Sequence, residues 1–402
     1  MDNALLRQIN QHLDMDFIVQ TLVRLLQVPT NVPEGSTFME PDDPKLVYYV
    51  QSVVRPILSD LGYEGMTIDR LNNLILRSGA GRSGKRLLIM AYTPAQHANQ
   101  MKDPFSGKIT NAGGYGYDEP CAFGQGASQN KGALAAVLGA LKLLRDAGVD
   151  LAGELIFALN NEGRSSHACS MEIIDGQEIY ATDGILAIGT ANKIALGNRG
   201  RVDVLITVQG KACHSSQPWR GLNAIEGARQ ALNRLAEISL TASHPRLGRA
   251  QLTVYQVIFS PIAPHTLPDV GRLTVDRRLM PGEDPEAAVA EIAYALGDMS
   301  PYGLRVEQGV FMYPAEVPVD HEVVQALQEG LTAVRGRPAE TDYPQWTFDA
   351  GYACSRGIPT VMFGPSCVDP AGEDLLGADF VALSQVEEAA KAYAYAILRL
   401  LG

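Results

Sequence analysis

Strands and helices alternate along most of this chain, and one central block breaks the alternation; few folds accommodate that pattern. The runs MTIDR, NLILRSG, KRLLIMAY, GELIFALN and GILAIG, spread between Met66 and Gly189, read as short buried strands. Helical periodicity covers Asp16–Gln27, Pro44–Leu61 and Lys131–Ala147, which end at Pro29, Gly62 and Gly148. Strands separated by helices at this spacing predict an α/β layer with a largely parallel sheet. The middle section then reads strand (VDVLITVQGK), helix (GLNAIEGARQALNRLAEI), strand (RAQLTVYQVIFS), strand (GRLTVDRRL), helix (from Asp284) and strand (GLRVEQGVFM). That order, β-α-β-β-α-β, is the ferredoxin-like split unit. The first pattern resumes with helices at Glu322–Val334 and Asp349–Arg356, the strand IPTVMFG and a helix over Ser384–Leu400. The expected fold is therefore α/β: a three-layered α/β/α domain from 1–198 and 314–402, with a ferredoxin-like lid inserted at 199–313.

Composition narrows the function classes. A chain of 402 residues, 46% apolar and 19% charged, is large enough for two globular cores. A net charge of −12 argues against nucleic acid or an anionic membrane as partner, because both demand clustered Lys and Arg. Cys121, Cys169, Cys213, Cys354 and Cys367 are scattered without CxxC spacing, which reads as reduced thiols in a cytoplasmic protein. The start, MDNALLRQINQHLDMD, has no basic segment followed by an apolar one, and no apolar run approaches a membrane span.

In a parallel α/β sheet, functional side chains gather on loops at the strand C-terminal ends. Those loops here are AYTPAQ, GQGASQNKG (Gly124–Gly132), NNEG, GTAN and FGPSCVDPAGEDL. The Gly124–Gly132 loop has the outline of a metal-site turn at a helix start, yet it presents Ser128, Gln129 and Asn130, none of them anionic. Taken with GKACHSSQPWRGLNA and VDRRLMPGE in the insertion, the layout resembles the M20 family of metallopeptidases and amidohydrolases. Aminoacylases, acetylornithine deacetylases, succinyl-diaminopimelate desuccinylases and carboxypeptidase G-like enzymes belong to it. The resemblance spans nearly the whole chain and rests on the order of these segments more than on any one of them.

The resemblance implies two zinc ions held by five side chains, a glutamate as general base, and a homodimer formed through the lid. Carried over by position, most of that set is missing. The family's H-x-D falls on Tyr92-Thr93-Pro94, its bridging aspartate on Gln129 and its D-E-E triplet on Asn160-Asn161-Glu162. A further acidic ligand falls near Thr190 and the last histidine near Leu375, so Glu162 alone keeps the ligand type. Neutral amides are poor ligands for divalent ions, and Asn161 cannot accept a proton as a base does. The expectation is no resident cofactor, with zinc only if the family chemistry survives on unconventional ligands.

The binding half matches better. His214 occupies the position of the family's lid histidine, which donates to the developing oxyanion, and Asn223 and Arg278 (or Arg277) match positions that hold substrate oxygens. The catalytic candidates are then His214, Glu162, Tyr92 and Asn161, and the substrate-binding candidates Asn223, Arg278, Gln129 and Thr190. Each has a plainer reading: Arg278 as an ion-pair partner of Asp276 or Glu283, Glu162 as a cap, and Gln129, Asn160 and Asn161 as a hydrogen-bonded plug. His97, His167, Asp118, Glu119, Asp369, Glu373 and Asp374 match no metal motif, and Cys213 reads as packing. Three functions follow: a metal-independent enzyme acting on a small carboxylate-bearing amide or acyl compound bound between domain and lid, a non-catalytic binding protein, or a zinc amidohydrolase with unusual ligands.

Overall fold

The computed structural model describes residues 3–33, 36, 38–96, 101–162, 166–368 and 377–402. Along the chain run β1 (Thr67–Ile68), β2 (Leu74–Ser78), β3 (Arg86–Tyr92), β4 (Lys108–Ala112), β5 (Tyr117–Phe123), β6 (Glu154–Asn160), β7 (Asp183–Ala187) and β8 (Ile194–Ala195). The central block supplies β9 (Gly200–Gln209), β10 (Cys213–His214), β11 (Gln251–Ser260), β12 (Thr266–Leu267), β13 (Val270–Leu279) and β14 (Gly303–Met312). After it come β15 (Thr341–Asp342), β16 (Thr360–Phe363) and β17 (Phe380–Ala382). The chain divides into two compact units, 1–197 with 316–343 and 352–402, and 198–315 with 344–351. The short segment 344–351, assigned from sequence to the first unit, packs with the second.

The first unit is built on an eight-stranded sheet in the order β1-β2-β6-β3-β7-β16-β8-β15. Its centre, β6-β3-β7-β16, is parallel, and β2 adds antiparallel to β6. Leu87–Ala91 and Leu155–Asn160 are buried without alternation, as strands covered on both faces must be. The helix Gly132–Asp146 is apolar nearly all round and lies against Leu383–Leu401. Gly139 permits a close approach, since a Cβ there would sit 2.5 Å from Ile18 Cδ1.

Residues 108–123 depart from the sequence reading. No strand is read from sequence in this Gly- and Tyr-rich stretch; β4 and β5 form an antiparallel hairpin there that continues through β17 as a three-stranded sheet. Phe380 anchors it, with the rings of Tyr115, Tyr117 and Phe123 centred 5.1, 5.5 and 5.0 Å away. The apolar cover of β5 comes from a strand more than 250 positions later, so local periodicity gave no signal.

The second unit has the sheet order β11-β13-β9-β14, antiparallel throughout, the ferredoxin-like arrangement. Val202, Val204, Ile206 and Val208 of β9 alternate inward onto Ala228, Ala231 and Leu235 of the helix Ala224–Ala236 and Ile292 and Leu296 of Pro285–Leu296. Strand β11 is an edge and leaves Tyr255, Val257 and Ile258 exposed.

Candidate functional site

The loop Gly124–Gly132 is organised around a carboxylate that its own sequence lacks. Gly126 takes a left-handed φ of 89°, and the turn directs main-chain N–H groups onto Asp379, just before β17. Gly126 N donates to Asp379 Oδ2 at 2.7 Å and Ser128 N to Oδ1 at 2.8 Å. A left-handed turn that aims successive N–H groups at one point is a ready anion cradle. Lys131, fully buried in the same loop, donates to Val28 O at 2.8 Å and lies 5.8 Å from the Tyr49 ring centre. Burial raises Asp379 to about 6 and lowers Lys131 to about 7, each opposed by the attraction between the two. The loop continues through a wide turn, Ala127–Lys131, into the Gly132 helix.

Around this loop the C-terminal ends of β3, β6 and β7 converge. Tyr92 and Asn160 are direct partners across β3 and β6, and Thr93 N donates to Asn160 O at 2.9 Å. Asn130 Nδ2 donates to the carbonyls of Tyr92 and Pro94 at 3.0 and 2.9 Å, tying the β3 loop to the glycine loop. Gln129 Oε1 accepts from Gln96 N at 3.0 Å, and Gly189 N donates to Gln129 O at 2.9 Å. A Cβ at Gly189 would lie 1.9 Å from Ser128 O, so only glycine permits this contact.

The Asn-Asn-Glu triplet is fixed from both sides. Asn160 Oδ1 accepts from Glu162 N at 2.7 Å and its amide donates to Ser170 Oγ at 2.9 Å. Asn161 N donates to Asn73 Oδ1 and its side-chain amide to Asn72 O, while its Oδ1 has no hydrogen-bond partner among the described residues. Asn73 is in turn held by Asp69, whose carboxyl burial shifts upward against the donors from Asn73 and Leu71. Glu162 is 8% exposed and accepts from Ser166 Oγ at 3.0 Å and Cys169 N at 3.2 Å. Thr190 Oγ1 donates to Lys193 O at 2.6 Å and accepts from Gly364 N at 3.2 Å. Tyr92, Gln129, Asn161, Glu162 and Thr190 are thus gathered at one end of one sheet. Leu375, with His97, Asp369, Glu373 and Asp374, lies outside the described residues.

On the second unit, His214 is exposed on β10, with Nδ1 2.8 Å from Ser216 Oγ and accepting from Ser216 N at 3.2 Å. Asn223 is the N-cap of the Ala224 helix, its Oδ1 accepting from Ile225 N at 3.1 Å. Arg278 pairs with Asp276 at 2.9 Å, and buried Arg277 pairs with Glu283 at 2.6 Å. Asp276 lies on the same strand as Arg278, whereas Glu283 lies in the turn after that strand. Cys213 Sγ lies 3.5 Å from Gln217 O, against Gly221. Burial raises the thiols of Cys354 and Cys367 to about 11, away from nucleophilic character. His167 is buried, its ring 5.2 Å from that of Tyr352, whose hydroxyl donates to Asp175 at 2.6 Å.

A family model described as a peptidase dimerisation domain matches residues 196–303, the block that carries the ferredoxin-like sheet. The chain is 28% identical to the Escherichia coli (strain K12) protein YgeY over 86% of each chain. It is 24% identical to the acetylornithine deacetylase of Klebsiella pneumoniae, over 74% of this chain and 76% of that one. Its fold matches the M20 family metallo-carboxypeptidase Sso-CP2 of Sulfolobus solfataricus with a TM-score of 0.74 at 17% identity, covering 95% and 98% of the two chains. The matched dimerisation domain, these relatives and the shared fold together support a relationship to the M20 metallopeptidases and amidohydrolases. Aminopeptidase PepT of Bacillus cereus, with a TM-score of 0.70 and 17% identity over 97% and 99% of the chains, shares the M20 fold. Asp379 and Lys131 are the residues that sequence reasoning passed over. The only signal was KG closing the glycine loop; nothing local linked it to Asp379.

Proposed function

We propose that this protein works on a small ligand carrying a carboxylate and an amide or acyl group, without the dinuclear metal pair implied by its family resemblance. One observation carries the reading: the side-chain oxygens at the family's metal positions are engaged by the protein itself. Gln129 Oε1 holds Gln96 N, Asn160 Oδ1 holds Glu162 N, and Thr190 Oγ1 bridges Lys193 O and Gly364 N. Two divalent ions need several carboxylates or imidazoles, and this donor set offers one carboxylate, Glu162, which already accepts two hydrogen bonds. The described residues contain no group of three or more His, Cys, Asp or Glu placed to hold a metal. The donor set does not fit the ions.

The chemistry left to the chain is hydrogen bonding and proton transfer. Glu162 is a group at the sheet end able to take a proton, Tyr92 one able to give one, and His214 a donor suited to an anionic oxygen of the ligand. Relatives named as a deacetylase, a carboxypeptidase and a desuccinylase support a C–N bond as the centre of action. The exposed apolar edge of β11 supports a homodimer through the lid, and five free thiols fit a reducing compartment. Metal analysis of the purified protein, joined to turnover assays on N-acyl amino acids with and without chelator, tests the reading. Substoichiometric zinc with chelator-resistant turnover that dies in His214→Ala is expected. About two zinc per chain, in the manner of dinuclear hydrolases, sinks it. Ligand-dependent stabilisation without turnover would favour a binding protein instead.

A further inference from the structure

A second imidazole stands beside His214. Strands β10 and β12 pair antiparallel, His214 opposite Thr266, and Ser215 N donates to His265 O at 2.7 Å. This brings the rings of His214 and His265 to 6.0 Å between centroids, tilted by 31°. His265 adopts a left-handed φ of 54°, a conformation that costs energy in any residue with a Cβ and that marks functional positions when the fold enforces it. Pro261, Pro264 and Pro268 restrict the segment on either side. Both histidines are exposed, and the ring nitrogens of His265 have no hydrogen-bond partner among the described residues.

The protonation pattern of His214 selects the ligand. Its Nδ1 accepts a main-chain N–H from Ser216, so in the neutral ring the proton sits on Nε2. A nitrogen that carries a proton donates a hydrogen bond, so in this tautomer His214 presents a donor suited to an anion. The surroundings agree. In a chain of net charge −12, segments 209–225 and 252–268 contain Lys211, Arg220 and both imidazoles, with Glu226 and Asp269 following them directly. Cationic side chains beside imidazole donors favour an anionic ligand.

We propose that His214 and His265 form a two-imidazole site that holds the carboxylate of the ligand, with the main-chain N–H of Ser216 fixing the His214 tautomer. This deepens the preceding reading and rests on it only for the choice of carboxylate.

The full-length protein is titrated with acetate, with inorganic phosphate and with chloride at matched ionic strength, while the histidine ring nitrogens are followed by long-range ¹H–¹⁵N NMR. Acetate is expected to shift both His214 and His265 with one common dissociation constant, and chloride neither. His265→Asn keeps a residue that tolerates the left-handed backbone and is expected to weaken acetate about tenfold. Ser216→Ala keeps the main-chain N–H that Nδ1 accepts, so the His214 nitrogens are expected to stay in the Nε2–H form before any ligand is added. Acetate shifting only one ring, or neither, overturns the pair; phosphate binding in place of acetate overturns the carboxylate assignment. Should His265→Asn lower the melting temperature, His265→Gly, which also suits that backbone, replaces it, and unchanged acetate binding in a stable variant overturns the role of His265. Metal content leaves these outcomes untouched, so a zinc-loaded protein would defeat the proposed function and not this pair.

Discussion

The sheet end of the first unit and the β10–β12 corner of the second are opposites in how they use polar groups. At the sheet end, Gln129, Asn160 and Thr190 are knitted into main-chain hydrogen bonds, and Asp379 and Lys131 are buried beneath them. At the lid corner, His214 and His265 keep exposed rings on a short two-stranded ribbon. Buried polar groups with satisfied bonds specify structure; exposed groups with spare donors remain available for ligands. On the proposed function, the amides at the sheet end serve the structure while the exposed donors of the lid serve the ligand.

Mutations of the buried contacts made by Asp379 and Gly189 at the sheet end should damage folding, and mutations of His214 and His265 should act on the ligand with little effect on stability. Removing Asp379 would leave the buried N–H groups of Gly126 and Ser128 without their acceptor, so Asp379→Ala should cost about 3 kcal/mol in urea unfolding. A cost below that of an ordinary surface change would break the contrast at its strongest point. Gly189→Ala forces a Cβ against Ser128 O and should cost about 3 kcal/mol. If it is neutral, the glycine loop and the β7 loop are not locked together.

The pH dependence sharpens the same comparison. Lys131 is lowered from 10.5 to about 7, so between those values the unfolded chain binds the proton and the folded chain does not. Stability from this group therefore rises with pH across that window and is lost as pH falls through it. Asp379, raised from 3.8 to about 6, binds its proton more tightly when folded, and its contribution falls as pH rises between those values. Unfolding midpoints of the parent should climb from pH 7 to pH 10 relative to Lys131→Met; parallel curves would remove the buried lysine from the account.

Smaller effects are expected on the second unit. Asn223→Ala deletes a helix cap and should cost about 1 kcal/mol; weakened ligand binding with unchanged stability would return Asn223 to the substrate. His214→Ala should stay within about 0.5 kcal/mol of the parent in stability while losing acetate binding. A large destabilisation there would make the lid corner as structural as the sheet end.

The alternation of strands and helices, the inserted β-α-β-β-α-β block and the family likeness were all legible in the chain, because each is written in local periodicity or in the order of segments. The absence of acids at Gln129, Asn160 and Thr190 was legible too, since it needs only residue identity. What replaced the acids was not. Asp379 reaches the glycine loop from 251 positions beyond Ser128, β17 completes a hairpin that reads as a loop, and His265 meets His214 only through strand pairing. Tertiary structure decided these, because a buried charge or a paired ring is defined by neighbours that folding supplies, and periodicity along a chain carries no record of partners so far away.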